Sequence, residues 1–388
     1  MANHYDGIYD VIIIGAGSVG TPAAMSLAEA DLRTLVLDSR ASAGQGSNKA
    51  AIGGIRATHS DPAKIRLCLR SIEIFSTWKE KYGDDIEWQK GGYCFVAYRE
   101  REEKILKDLL AIQKPYGLNI DWLNRDDLQK LIPDLNPNGL IGGTFSPDDG
   151  NVSPLLALHA FYKRAKRLGV EFRFNEAVTG VDVAGGRVRG VRTDKGSYGA
   201  DVVINAAGPW AVPLAKMVGI DVPVRPDSHE AAITEAVSHL FDPMIVDIRP
   251  VTGSANYYFY QHATGQIVFC ITPSPNIWGE DCRETSEFLP MVAKRMVDLM
   301  PRLANLRVRR TWRGLYPMTP DGFPIVGWSK EVEGYLLAVG MCGQGLMLGP
   351  GLGELLARMV KHDLAESDQE MLSILSPYRQ FAGQEKLE

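Results

Sequence analysis

The sequence predicts a mixed α/β fold in two domains, on three observations. Its 388 residues exceed the usual size of one domain. Near each end, an apolar strand runs into a glycine-rich loop and then a helical pattern, first at Val11–Ile14 and again at Tyr335–Val339. Between them, residues 223–313 look β-rich, with Tyr257–Tyr260 and Gln266–Ile271 as antiparallel strands.

The first strand opens a pattern typical of dinucleotide binding. Gly15, Gly17 and Gly20 follow it in G-x-G-x-x-G spacing. Gly15 permits a tight turn, Gly17 lets the backbone approach a pyrophosphate, and Gly20 lets the next helix pack closely on the strand. That helix, predicted over Thr21–Ala30, directs its N-terminus at the phosphate charge.

An acidic residue completes this pattern. Asp38 ends the second predicted strand, Leu35–Leu37, where it can accept hydrogen bonds from ribose hydroxyls. A carboxylate there disfavours the 2′-phosphate of NADP, but it does not separate FAD from NAD. The alternative is a glycine-rich turn in another α/β protein.

Two glycine-rich stretches follow. Ser47 ends the first, where its hydroxyl and neighbouring amides can bind a phosphate or simply form a turn. In the second, Gly53 and Gly54 precede Arg56. Adjacent glycines beside an arginine indicate a close backbone approach to a flat group, with a positive charge beyond it.

The remaining elements follow from periodicity and from capping residues. Helices are predicted from Asp61-Pro62 through a stripe ending at Trp78, and over Glu100–Tyr116, Asp126–Leu131, Ser153–Leu168, Thr285–Met300 and Leu352–Lys361. Strands are predicted at Tyr93–Ala97, Val170–Phe174, Val178–Asp182, Arg187–Thr193 and from Asp201. We expect 134–150 to be a loop or a domain crossing, and the polar tail after Pro377 to be mobile.

Composition argues against several classes of protein. A net charge of -5 gives no support for nucleic-acid binding, and no apolar run is long enough for a membrane helix. No Lys or Arg precedes Arg33, so no secretory signal peptide is predicted. The five cysteines form no C-x-x-C pair, which favours a reduced, cytoplasmic location and indicates no metal site.

The motifs together resemble one family over nearly the full length of the chain. They are the opening glycines with Asp38, the Ala51-x-Gly53-Gly54-x-Arg56 segment, Asn205-Ala-Ala-Gly-Pro-Trp210, Pro320-Asp-Gly322 and Gly343-Gln-Gly345. Their order is similar to that of the FAD-dependent D-amino acid oxidase superfamily, especially the β subunits of sarcosine oxidase and of archaeal-type proline dehydrogenase.

The resemblance implies a Rossmann-type FAD-binding domain with an inserted antiparallel-sheet substrate domain. The FAD-binding domain would be discontinuous, comprising residues 1–84, 146–222 and 325–388. The substrate-binding domain would comprise residues 85–145 and 223–324.

The resemblance also assigns residues to the cofactor. It implies pyrophosphate contacts at Gly15, Gly17 and Gly20, a ribose contact at Asp38 and a phosphate contact at Ser47. The other implied FAD contacts are Gly53, Gly54, Val178, Ala207, Gly208, Gly343, Gly345, Leu346 and Met347. Gly314 matches the position where monomeric sarcosine oxidases attach FAD through a cysteine, so the resemblance implies non-covalent FAD.

For the substrate, the resemblance implies a small amino acid whose carboxylate binds Arg56. It implies oxidation of the C–N bond of a secondary or N-methyl amino acid by hydride transfer to flavin N5, after which the imine is hydrolysed. A planar guanidinium suits a carboxylate, although a structural ion pair is the alternative for Arg56. Tyr258 and Tyr316 can shape the amine pocket or can be packing residues of the sheet.

The sequence leaves alternatives for the electron acceptor and for the partners of the protein. The lysine that activates oxygen in monomeric sarcosine oxidase has no counterpart, since Lys216 alone lies between Gly196 and Lys294. This favours a dehydrogenase, with an α subunit or another protein as electron acceptor. The alternatives are oxidation of a different substrate, such as a 2-hydroxy acid or a polyol phosphate, and a non-catalytic FAD-binding assembly subunit.

Overall fold

The computed structural model describes residues 5–387, so residues 1–4 and 388, at the limits of the predicted FAD-binding domain, lie outside it. Two large sheets and the helices around them make up this part of the chain. The predicted mixed α/β class is confirmed.

The first sheet contains the opening strand at its centre. Its strands are β1 (Gly7–Ile14), β2 (Thr34–Asp38), β8 (Glu171–Phe174), β9 (Val178–Ala184), β10 (Arg187–Thr193), β11 (Ser197–Asn205), β17 (Ile325–Trp328) and β18 (Tyr335–Val339). The main order is β17-β18-β11-β1-β2-β8, in which all neighbours except β17 and β18 are parallel. β1 is buried along Val11–Ile14 because strands flank it and helices cover the sheet.

The second sheet is mainly antiparallel. Its strands are β4 (Tyr93–Ala97), β5 (Asp121–Asn124), β6 (Gly142–Ser146), β12 (Arg225–Ala236), β13 (Met244–Asp247), β14 (Gly253–Gln261), β15 (Gln266–Ser274) and β16 (Val308–Met318). Their order is β16-β12-β15-β14-β13-β4-β6-β5, and β13 and β4 form the one parallel pair among them. A short ladder joins β3 (Gly54–Ile55) to β7 (Gly150–Asn151).

The helices are α1 (Gly20–Glu29), α2 (Pro62–Tyr82), α3 (Glu100–Gln113), α4 (Arg125–Leu131), α5 (Pro154–Arg167), α6 (Ala211–Lys216), α7 (Phe288–Leu299), α8 (Gly345–Lys361) and α9 (Glu366–Leu375). α2 begins as predicted, because the Asp61 carboxylate accepts the Lys64 N–H at 3.0 Å. None of the helices in the described part of the chain combines the length and apolar character needed to span a bilayer.

Three predictions about elements are wrong. α8 begins at Gly345 rather than Leu352, and Pro350 lies inside it. The predicted loop 134–150 contains β6, which pairs with both β4 and β5. The segment after Pro377 is anchored rather than free, since Arg379 makes two hydrogen bonds to Asp321, at 2.8 and 2.9 Å.

Candidate functional site

A cavity of about 500 Å³ is lined from both large sheets. Every residue singled out from the sequence as a candidate site residue, except Gly20, lines this cavity. Gly20 acts beneath it: a Cβ atom there would lie 1.9 Å from the Gly15 carbonyl oxygen. This close contact between α1 and the strand loop agrees with the packing role predicted for the third glycine of the fingerprint.

The end of the cavity near α1 forms a cradle that can hold a phosphate. A Cβ atom on Gly17 would meet nothing within 4 Å, so the backbone there faces open space. The first N–H groups of a helix have no partner within the helix, and the dipole makes that end attractive to an anion. The loop and helix therefore offer a pyrophosphate both room and hydrogen-bond donors.

Asp38 is held rigidly beside this cradle. Its two carboxylate oxygens accept backbone N–H groups, from Ala16 and from Arg40, each at 2.8 Å. Arg40 also lies over the Trp210 ring, 5.0 Å from its centre. Arg40 and Trp210 also line the cavity. Neither was predicted as a site residue, although Trp210 ends one of the motifs that carry the resemblance.

The other predicted cofactor residues complete the walls. Val178 lines the cavity from the start of β9, and Ala207 and Gly208 line it from the turn that follows β11. Ser47 also lines it, and its hydroxyl donates to the Leu315 carbonyl at 2.8 Å. The Gly314 backbone lies close to Ala50, so close that a Cβ atom there would be 2.6 Å from the Ala50 Cβ.

A second helix N-terminus borders the cavity. α8 begins at Gly345, and Leu346 and Met347 in its first turn are cavity-lining residues. Gly343, just before it, has φ +78°, and a Cβ atom there would lie 2.1 Å from the Tyr316 ring. The positive end of this helix can stabilise negative charge on a ligand.

These features fit FAD. The Gly17 cradle at α1 suits the pyrophosphate, and the α8 N-terminus suits the negative charge that a reduced isoalloxazine ring develops near N1 and O2.

Two tyrosines from the second sheet face this space. The hydroxyls of Tyr258 and Tyr316 lie 2.9 Å apart. Burial raises the pKa of Tyr258 and of Tyr316 above the ordinary tyrosine value, so both hydroxyls keep their protons. The sequence predicts both residues for the site, and the structure brings them together.

A buried histidine stacks on this pair and was missed in the sequence. The His229 ring is parallel to Tyr316, with centres 3.7 Å apart, and its Nε2 is 3.0 Å from Asp227 Oδ2. Burial lowers the pKa of His229, so the ring is neutral and its Nε2–H donates to Asp227. The signal was the i, i+2 spacing on β12, which directs both side chains to one face.

Arg56 also lines the cavity, and it is 7% exposed. Its guanidinium donates to the backbone carbonyls of Thr58 and Leu387, and its Nη1 is 3.2 Å from His59 Nδ1. No carboxylate between residues 5 and 387 forms an ion pair with it. Such a buried cation retains a strong attraction for an anion.

A carboxylate lies in the next layer behind Arg56. Asp149 accepts the Ala57 N–H at 2.9 Å and the Thr58 hydroxyl at 2.7 Å. Burial raises the pKa of Asp149 from its usual 3.8 to about 6, against the lowering effect of these hydrogen bonds and of Arg56.

Comparison with known proteins gives consistent matches over most of the chain. The family described as FAD dependent oxidoreductase (DAO) matches residues 10–359. Hydrogen cyanide synthase subunit HcnC of Pseudomonas aeruginosa is 28% identical, over 93% of this chain and 94% of its own. Glycine oxidase of Bacillus licheniformis is also 28% identical, over 91% and 93%. The crystal structure of L-proline dehydrogenase from P. horikoshii has 30% identity and a TM-score of 0.89, covering 95% of this chain and 97% of that one.

Proposed function

Because this chain belongs to the family of FAD dependent oxidoreductases, we propose that it oxidises the C–N bond of a small secondary or N-methyl amino acid. Substrates of the sarcosine, proline or glycine kind are the class we favour. Two similar proteins, a glycine oxidase and an L-proline dehydrogenase, support this choice by the substrates in their names.

Arg56 is the observation that carries the proposal. It is a buried guanidinium in the wall of the cavity, and its described hydrogen-bond partners are backbone carbonyls and a histidine nitrogen rather than a carboxylate. A substrate carboxylate would supply the missing negative charge through two parallel N–H···O bonds. An amino acid held in this way has its α-carbon fixed in one orientation.

The chain's own residues then position the amine. Bound FAD supplies the acceptor for the hydride equivalent that leaves the substrate carbon. Tyr258 and Tyr316 keep their protons and can hydrogen-bond the substrate, while His229 holds the Tyr316 ring by stacking. Loss of hydride and of the N–H proton converts a neutral amine to an imine. Addition of water then releases a carbonyl compound and an amine.

Several further assignments belong to the same proposal. FAD is bound non-covalently, and the predicted cofactor residues, from Gly15 to Met347, form its contacts. The discontinuous FAD domain and the inserted substrate domain keep the boundaries given above. A partner subunit accepts the electrons in a cytoplasmic complex, which the subunit named among the similar proteins supports.

Substitution of Arg56 tests the proposal. Truncation of one partner in a buried charge pair costs about 2 to 5 kcal/mol, which is roughly 30- to several-thousand-fold in kcat/KM. We therefore expect Arg56→Ala to lose this much in anaerobic flavin reduction by N-methylglycine or proline. Arg56→Lys keeps the charge but loses the planar fork, so it should recover only part of the activity.

The matched control is Arg66→Ala, which removes an α2 arginine paired with Glu370 on the surface. It should leave flavin reduction unchanged. The methyl ester of the substrate should be poor with the wild-type protein and should lose little more with Arg56→Ala. If Arg56→Ala reduces flavin as fast as wild type, the assignment is wrong; if it unfolds or loses FAD, the arginine is structural.

A further inference from the structure

The segment after α9 returns to the cavity. Arg379 is anchored to Asp321, and residues 382–384 are exposed. Glu385 and Leu387 are then buried again, 3% and 2% exposed, although no helix or strand contains them. We call residues 383–387 the strap.

Glu385 fixes the strap to α2. Its carboxylate forms an ion pair with the ammonium group of Lys64 and accepts the Ser60 hydroxyl at 2.5 Å. Burial would raise the pKa of Glu385, but the Lys64 ammonium and the Ser60 hydroxyl hold it well below its ordinary value, so the group is charged. Lys64 Nζ also lies 3.2 Å from the Gly322 carbonyl and from Gln344 Oε1.

Leu387 occupies the acid-binding end of the cavity. Its carbonyl oxygen accepts a hydrogen bond from Arg56, and its side chain belongs to the apolar cluster that includes Phe95, Val246 and Tyr260. A carbonyl on the guanidinium and an isobutyl group among apolar side chains are what an aliphatic amino acid would present there. The strap and an acid substrate therefore compete for the same donors.

We propose that the strap is a displaceable closure of this site, and that the substrate carboxylate replaces the Leu387 carbonyl on Arg56. The inference rests on the proposed role of Arg56. It adds that the closed state is held chiefly by Glu385, and that affinity for acids is reduced by the fraction of molecules that are closed.

The surrounding charges favour such an exchange. His59 lies between the Arg56 cation and the Glu385 carboxylate, with its Nδ1 3.2 Å from Arg56 Nη1 and 3.9 Å from Glu385 Oε2. Burial, Arg56 and Lys64 all lower the pKa of His59, so the ring is neutral and adds no charge. When the strap leaves, Lys64 keeps its two neutral acceptors, and the incoming carboxylate restores one negative charge to the cluster.

Three backbone amides of the strap report on its position. The Glu385 N–H donates to the Asp321 carbonyl at 3.1 Å, the Lys386 N–H to the Ser60 hydroxyl at 3.2 Å, and the Leu387 N–H to a Glu385 carboxylate oxygen at 3.1 Å. Hydrogen exchange at these amides, measured on the FAD-loaded protein, should be slow in the closed state. We expect saturating benzoate to accelerate it, whereas benzyl alcohol, which lacks the carboxylate, should not.

The variant Glu385→Gln removes the charge that holds the strap. Benzoate, followed by its effect on the flavin absorbance spectrum, should then bind roughly tenfold more tightly if about a tenth of wild-type molecules are open. Gln384→Ala changes an exposed strap residue and should bind benzoate as wild type does.

Two results would overturn the proposal that the strap is displaceable. The first is slower or unchanged amide exchange in wild type at saturating benzoate. The second is weaker or unchanged benzoate binding by Glu385→Gln, since residues 385–387 would then be a fixed wall of the site. Failure of the proposed function would give a different result: benzoate would bind and accelerate exchange of the strap amides, yet no amino acid would reduce the flavin.

Discussion

We expect Asp149 to make the proposed carboxylate site at Arg56 sensitive to pH. Because burial raises the pKa of Asp149 to about 6, the group is neutral below that pH and charged above it. The negative charge formed above pH 6 partly cancels the attraction of Arg56 for a second anion. We expect the dissociation constant of benzoate to increase as pH rises through 6, in a spectrophotometric titration of the FAD-loaded protein.

The same shift fixes the sign of a stability effect. Between its ordinary 3.8 and about 6, Asp149 binds its proton in the folded chain but not in the unfolded chain. Its contribution to the free energy of unfolding therefore falls as pH rises through this window. In Asp149→Asn, the pH dependence of benzoate affinity should vanish, and so should this pH-dependent contribution to the free energy of unfolding. A benzoate titration with the same inflection as wild type would assign it to another group.

The Tyr258–Tyr316 pair is expected to act on the substrate and not on FAD. Tyr316→Phe removes a hydroxyl whose partner, Tyr258, is also buried. A typical hydrogen bond contributes about 0.5 to 1.5 kcal/mol, so kcat/KM should fall roughly two- to tenfold with FAD content unchanged.

Tyr98→Phe is the matched control for this pair. Tyr98 directly follows β4 of the second sheet, but its hydroxyl donates to the Asn136 carbonyl and the residue does not line the cavity. Equal losses in the two variants would mean that the Tyr316 hydroxyl matters only for stability.

At the residue scale, the site residues that could be predicted from the sequence are those that belong to a local pattern. Gly15, Gly17 and Asp38 are recognisable because their spacing alone has a physical meaning. Lys64 and Leu387 are not, since each acquires its surroundings from parts of the chain far away in sequence. The burial of Leu387 runs against the polar composition of its neighbours, which predicted a mobile tail.

At the scale of elements, substitution of two glycines can test cofactor binding and folding separately. A Cβ atom added at Gly17 would have no atom within 4 Å, whereas one added at Gly349 on α8 would lie 1.8 Å from the Ser18 carbonyl oxygen. We expect Gly17→Ala to keep the thermal stability of the FAD-free protein while its FAD affinity falls about tenfold or more, a loss of at least about 1.4 kcal/mol.

Gly349→Ala should instead lower the melting temperature of the FAD-free protein, because backbone must move to admit the methyl group. Thermal unfolding and FAD titration on both variants would check this contrast. If Gly17→Ala bound FAD normally, the space beside it would not be the pyrophosphate cradle.

The start of α8 shows how packing overrides local preference. Gly349, Pro350 and Gly351 are poor helix formers, so the sequence predicts a loop up to Leu352. In the structure the two glycines allow the helix backbone to approach Ser18 and Leu67, too closely for any side chain. The residues that look like helix breakers are those that let α8 pack against the α1 loop and α2.

At the scale of the whole molecule, the prediction concerns whether oxygen or another molecule accepts the electrons. The oxygen-activating lysine of monomeric sarcosine oxidase has no counterpart here, and buried Lys64 is neutralised by Glu385. We expect substrate-reduced flavin to reoxidise slowly in air and faster with an artificial dye, measured by stopped-flow absorbance. Reoxidation in air as fast as with the dye would contradict this prediction.

The order of strands in the first sheet also determines when the protein can become functional. β11 lies between β1 and β18, and the Gly15–Gly17 and Gly343–Met347 loops, over 300 residues apart, line the same cavity. Synthesis at about 5 to 20 residues per second separates their appearance at the ribosome by roughly 15 to 65 seconds. Until β18 has been made, the edge of β11 that pairs with it stays open, and that edge must be shielded from other chains. We therefore expect cofactor capture to be a late event in biogenesis, which follows synthesis of the Gly343–Met347 loop.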